Sequence, residues 1–340
     1  MTADCVVPYS LLRHQGPMLR ASAAMLLQAA GRVLLPPRQE VADRMQPPGA
    51  SAHGTPAPGA SPPGTRALGA SAHGTPAHDA PPPGTQRHAI APIERRIDAP
   101  PEQLVGHYIR WCGAAGRYDG ELPPHMVSQW SLPLVSALLM QLPYRLTGII
   151  NQGVSMTVHG PLPRATPLVL RASVEQITHA DGWARIVIAV VTGTALQACL
   201  VETRLHLRVR LPGARGAGAP AARPPDPEWR TAGTWRAEAG DGLRFALLTG
   251  DFNPIHWCGP LARRSLFGGL VLHGFGSLAR SVETLAPGSY TQLDVRFLRP
   301  VALPSGALSV QLAQQADSDG WRALRLTGID DALHLAGRLR

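Results

Sequence analysis

One apolar helix followed by four strand-like runs is written into this chain twice, and no other property narrows its fold as much. In the first half, residues 133–142 (PLVSALLMQL), bounded by Pro143, predict a helix, and 102–112 predict another before it. Strand-like runs follow at about 149–158, 167–178, 183–193 and 196–211, separated by the turn-favouring pairs Gly160-Pro161, Asp181-Gly182 and Gly193-Thr194. In the second half, Phe275, Leu278, Ala279, Val282, Leu285 and Ala286 recur in steps of three and four, which predicts one face of a helix over 274–286. Runs near 290–299, 305–315, 321–328 and 332–339 then predict strands. The expected class is α+β, helices set against antiparallel strands in two units.

Length agrees with two units, since 340 residues exceed what one core usually organises, and 44% hydrophobic content suffices for two cores. The formal charge is +9 with no lysine anywhere, so all 32 basic residues are arginine. Arginine-only usage beside abundant Ala, Gly and Pro has the look of codon bias. With no basic run interleaved with aromatics, nucleic-acid binding is not expected. Cys5, Cys112, Cys199 and Cys258 are scattered without metal-ligand spacing, and read as idle thiols of a reducing compartment, the cytoplasm. No apolar run reaches the ~18 residues that span a bilayer, so membrane insertion is not expected.

Residues 17–35 mimic a signal peptide, but Gln28 interrupts the apolar run and Pro36-Pro37 follows, so the reading is an amphipathic helix packed on the first domain. Between Pro47 and His88 a ten-residue unit recurs from Gly49, Gly59, Gly69 and Asp79. It is too short and too poor in apolar residues for a solenoid, which predicts a disordered insertion. His53, His73, His78 and His88 follow the repeat itself and are not read as a metal tract.

Chemistry concentrates in FALLTGDFNPIHWCGPLA, Phe245 to Ala262, where Asp251, Asn253 and His256 share one short turn. Asn253 as N-cap would put Pro254 at the first helical position and His256 in the first turn. A carboxylate beside a helix N-terminus should stay ionised, and an imidazole there should resist a permanent proton, which makes Asp251 and His256 an acid/base pair. Downstream, His273-Gly274 opens the 274–286 helix, and the Gly274 N–H is a candidate donor to a ligand oxygen. His273 is read as fixing the helix entry, and the exposed-looking pair Arg263-Arg264 as solvated or as meeting phosphates.

The run Phe245-x-x-Leu248-Thr249-Gly250-Asp251-x-Asn253-Pro254-Ile255-His256, then Ala262, resembles the hydratase signature of MaoC-like (R)-specific enoyl-CoA hydratases and 3-hydroxyacyl dehydratases. LHGFGSLA and Val295-Arg-Phe-Leu-Arg-Pro300 resemble later stretches of that family. The resemblance implies two tandem hotdog domains, each a central helix wrapped by an antiparallel sheet, with the motif in the second alone. It implies a hydro-lyase interconverting 3-hydroxyacyl and trans-2-enoyl thioesters, with Asp251 and His256 catalytic, Asn253 and Gly274 orienting or binding substrate, and no metal or other cofactor. The partner implied is an acyl-CoA or acyl-carrier-protein thioester, whose anionic carrier suits the positive charge; a homodimer is compatible. A non-catalytic thioester-binding hotdog protein and a hotdog thioesterase stay open, because fold alone does not fix chemistry.

The expected division is an N-terminal helical segment at 1–46, the repeat insertion at 47–88 and a first hotdog without the motif at 89–212. A linker at 213–232 and the motif-bearing hotdog at 233–340 complete it. In place of the acid-x-Asn-Pro-x-His arrangement the first half offers His125 and Gln129-Trp130. Asn151-Gln152-Gly153 is polar enough to meet a ligand but reads first as a strand entered through a glycine bend.

Overall fold

The structure, a computed structural model, describes residues 6–21, 23–24, 90–144, 148–212, 226–286 and 290–340. The decapeptide repeat, Cys5 and most of 17–35 lie outside the described residues. The first half runs β1 (Ile93–Ile97), α1 (Glu102–Cys112), β2 (Glu121–Leu122), α2 (Ser128–Leu139), β3 (Ile149–Val158), β4 (Leu162–Pro163), β5 (Leu168–Ala180), β6 (Trp183–Gly193) and β7 (Val201–Arg210). The second runs β8 (Trp229–Trp235), α3 (Asp241–Thr249), α4 (Gly259–Arg263), α5 (Gly274–Leu285), β9 (Gln292–Phe297), β10 (Leu308–Ala313), β11 (Arg322–Thr327) and β12 (Leu333–Leu339).

Ten strands join in one antiparallel sheet of order β1-β5-β6-β7-β3-β9-β12-β11-β10-β8. The two ends mirror each other: the edge strands β1 and β8 each precede a helix, and β3 and β9, each first after its half's central helix, meet in the middle. Their pairing runs from Gly153 opposite Arg296 to Thr157 opposite Gln292. A Cβ on Gly153 would collide with the Val295 carbonyl, so glycine lets the two halves' backbones approach. Asn151 accepts from the Gly153 N–H at 3.0 Å beside a register shift against β7, which bears out the glycine bend.

Strand β7 shows how burial follows sequence: Val201, Thr203, Leu205, Leu207 and Val209 point inward while the residues between them lie nearer solvent. Helix α2 packs on β5, and α5 on β8 and β10, so Leu134 and Leu138 in one half and Leu278 and Val282 in the other fill one connected core. This is the hotdog arrangement, present twice and sharing a sheet.

Two expectations need correction. Helix α2 begins at Ser128, ahead of Pro133, because the 3-10 turn Pro124–Val127 feeds straight into it and α2 accommodates the proline. Strand β8 begins at Trp229, inside the span 213–232 read as linker, since its backbone pairs with β10. The described residues ahead of position 17 touch both halves. After a 3-10 turn at Tyr9–His14, Arg13 bonds Gln103 of α1 while Gln15 bonds the Leu247 carbonyl of α3.

Candidate active site

Helix α3 stops where Gly250 takes a left-handed φ of 80° and its N–H returns to the Ala246 carbonyl at 2.7 Å. Released there, the chain makes two side-chain turns in succession. The Asp251 carboxylate accepts from the Asn253 N–H at 3.2 Å, and the Asn253 side chain accepts from the Ile255 N–H at 3.4 Å. Asn253 is thus the N-cap expected, with Pro254 next to it, but the helix it caps is a 3-10 turn of three residues, Pro254–His256. So short a turn has no macrodipole to tune Asp251 or His256, and the electrostatic argument made from a helix terminus does not hold.

For His256, burial does that work instead. His256 is 8% exposed, and desolvation lowers its pKa, partly opposed by Asp251 and by the Val271 carbonyl. His273, also buried, is pushed down to about 3, by burial first and then by neighbouring His256. The two rings stack with centroids 3.5 Å apart, and Phe245 closes over His273 at 4.9 Å. His256 Nδ1 lies 2.7 Å from the Val271 carbonyl, which can only accept, so Nδ1 carries the proton and Nε2 is left as the basic nitrogen. By the same logic His273 Nε2–H donates to the Asp251 carbonyl at 2.9 Å.

An Asp251 carboxylate oxygen and a ring nitrogen from each of His256 and His273 lie within 4.8 Å of one another. The Asp251 side chain stays 42% exposed, so the cluster is buried on its histidine side and open on its carboxylate side. His273 is the N-cap residue of α5, which sets Gly274 at the first helical position, where the N–H has no acceptor within the helix. A Cβ on Gly274 would lie 2.8 Å from the Phe297 ring, so the β9 aromatic and the helix start meet only across a glycine.

Of the residues singled out from sequence, Asp251, His256 and His273 come together and Gly274 adjoins them. Asn253 builds the turn. Arg263 and Arg264 are exposed, Cys258 is half-buried and Cys112 lies in the core. Sequence reasoning missed the Val271 carbonyl, for a backbone acceptor leaves no residue signature.

The first half repeats the scaffold without this chemistry. Helix α1 ends at Gly113, φ 88°, but Ala114 follows where Asp251 follows Gly250. His125 is fully buried, its Nδ1 3.0 Å from the Tyr108 hydroxyl and its Nε2 2.7 Å from Glu283 of α5. Tyr118 donates to Glu283 at 2.7 Å and Arg117 pairs with it at 2.7 Å. Burial alone would raise the Glu283 carboxyl; His125, Tyr118 and Arg117 outweigh it and hold the group below its ordinary value. Gln129 is buried, and the Trp130 indole donates to Thr192 at 3.2 Å.

Comparison with known proteins bears on the fold. Residues 219–322 match the family profile described as "MaoC like domain". No curated protein sequence matches significantly. Among solved structures, HtdX of Mycobacterium tuberculosis is similar at 18% identity with a TM-score of 0.61, over 74% of this chain and 99% of that one. A MaoC-like dehydratase from Phytophthora capsici is similar at 14% identity and a TM-score of 0.60, over 73% and 94%. Full-length peroxisomal multifunctional enzyme type 2 from Drosophila melanogaster is similar at 18% identity and a TM-score of 0.53, over 73% and 48%. At these identities the likeness is one of fold.

Proposed function

Since residues 219–322 carry a MaoC-like domain, we propose that the chain is a hydro-lyase that interconverts 3-hydroxyacyl and trans-2-enoyl thioesters, with Asp251 and His256 as its reacting pair. The observation that carries this reading is the fixed tautomer of His256. Its Nδ1–H is committed to Val271, which leaves Nε2 as the basic nitrogen of a buried ring, one nitrogen of which lies within 4.8 Å of an oxygen of the half-open Asp251 carboxylate.

In dehydration, His256 Nε2 takes the α-proton of the hydroxyacyl thioester, and negative charge moves onto the thioester oxygen. The Gly274 N–H is the donor for that oxygen. The Asp251 carboxyl then gives its proton to the departing β-hydroxyl, the double bond forms and water leaves. Hydration runs the same steps backwards: Asp251 takes a proton from the attacking water and His256 delivers one to the α-carbon. Both directions use one proton shared by the pair, resting on oxygen or on Nε2, so no cofactor enters the scheme. Asn253 holds the turn that carries both groups.

The first hotdog, with Ala114 in the place of the acid, serves as wall and support, leaving one site per chain. Among the described residues no helix is long and apolar enough to cross a membrane, and an acyl-CoA or acyl-carrier-protein substrate in the cytoplasm fits the thiol-bearing, arginine-rich chain.

The test is incubation with a panel of enoyl and hydroxyacyl thioesters, read by mass spectrometry and chiral analysis. Asp251→Asn and His256→Ala should each lower turnover by about two to four orders of magnitude, as for loss of a positioned acid or base. The double variant should be little worse than either, because the two act on one event. The MaoC-like resemblance implies the (R)-hydroxyacyl product; full activity in Asp251→Asn would refute the site.

A further inference from the structure

We propose that residues 9–18 form a strap against the end of α3, from which the reacting turn departs, with Gln15 and Met18 as positioning residues for Asp251 and His256; this rests on the hydro-lyase reading of that pair. Gln15 is 0% exposed, and its amide donates to the Leu247 carbonyl at 2.8 Å. That carbonyl belongs to the last turn of α3, where the helix can no longer supply an acceptor's partner once the chain swerves at Gly250. A buried side-chain amide costs stability unless it is bonded, and Gln15 Oε1 finds no partner among the described residues. An apolar residue would suit the core better there, so the function of the glutamine is its bond to Leu247.

Met18, buried as well, lies against Gly250, and a Cβ on that glycine would collide with it. Gly250 sets the direction in which the chain leaves α3 for Asp251. The strap therefore holds the reacting turn at two adjacent points, through Leu247 and through Gly250. It is anchored in turn: Leu11 is fully buried, and Arg13 bonds Gln103 of α1 at 3.1 Å. Contact with both halves lets one short segment fix the turn relative to the whole sheet.

The variants Gln15→Leu, Met18→Ala and the conservative Met18→Leu in the full chain test this, with kcat, KM, thermal stability and backbone amide exchange measured without substrate. Gln15→Leu and Met18→Ala should lower kcat by roughly 10- to 100-fold, the range for small misplacement of reacting groups, and Met18→Leu should restore it. KM should stay within about twofold, because substrate binding is not what the strap supports. Exchange should rise across 247–256 and not across α5. Unchanged kcat and unchanged exchange at 247–256 would overturn the proposal. So would a loss of activity accompanied by a uniform rise in exchange, which would make the strap ordinary packing. A chain that turns over no thioester, yet shows exchange rising selectively at 247–256, would keep the strap and remove the hydro-lyase reading.

Discussion

Replacing Asp241 by alanine should be among the most damaging single changes outside the reacting turn. The side chain lies at the start of α3 with 1% of its surface exposed, and three elements converge on it. Trp111 of α1 donates its indole N–H at 3.1 Å, Arg280 of α5 a guanidinium N–H at 2.7 Å, and Arg244 another at 3.2 Å; the Glu238 N–H adds a fourth bond at 2.8 Å. Arg280 also lies 4.0 Å over the Trp111 ring. Burial alone would raise the Asp241 carboxyl, but Arg280 and the other donors hold it below its ordinary value of 3.8. Removing the acid strands a guanidinium that is only 14% exposed, and breaking a buried pair from one side costs about 3–5 kcal/mol. In a protein of this size that is a fall in Tm of roughly 4–10 °C. Arg280→Leu added to Asp241→Ala should recover part of the loss, since the stranded charge goes with it. The sign with pH follows from a lowered pKa: the Asp241 contribution is complete above 3.8 and is lost as pH falls through the lower folded value. Wild type and variant should therefore converge only in strong acid. Urea titrations of the single and double variants measure all of this; a loss under about 1 kcal/mol, the scale of an exposed pair, would refute the reasoning.

Burial of His256 lowers its pKa, so the acid limb of kcat/KM for dehydration, which needs the Nε2 lone pair, should lie below 6.5; a pH profile with that limb at or above 6.5 contradicts the assignment. Gly274→Ala should press on Phe297 and shift the helix start, lowering kcat by about 10- to 100-fold with a smaller effect on KM in steady-state kinetics. Glu283→Gln should cost on the order of 3 kcal/mol in a urea titration by stranding Arg117 and His125, yet leave turnover per folded molecule intact, because its cluster sits toward the far end of α5 from Gly274.

Much of this fold could be read from residue pattern. Glu102–Cys112, Ile149–Val158 and Trp183–Gly193 begin and end where periodicity and turn pairs put them, because each element buries one face and stops at a residue that cannot continue it. The edge strands β1 and β8 were illegible for a physical reason. Ile93–Ile97 reads Ile-Glu-Arg-Arg-Ile and Trp229–Trp235 reads Trp-Arg-Thr-Ala-Gly-Thr-Trp, neither alternates apolar and polar residues, and each pairs with a single neighbour, so backbone bonding rather than side-chain burial makes it a strand. At the site, Asp251, Asn253 and His256 were visible because their spacing is local. The helix-terminus account of their electrostatics was wrong: it presumed a helix where there is a single 3-10 turn, and burial depends on what packs from elsewhere. Gln15 stands 232 residues from Leu247, and nothing near either residue announces the contact.

The most direct test of the central claim is incubation of a trans-2-enoyl-CoA with the protein in ¹⁸O-labelled water, followed by mass spectrometry. Wild type should yield an intact hydroxyacyl thioester carrying one heavy oxygen at the β-carbon, and Asp251→Asn should yield almost none. Free coenzyme A with the label in a released carboxylate, or undiminished β-labelling in Asp251→Asn, would contradict it.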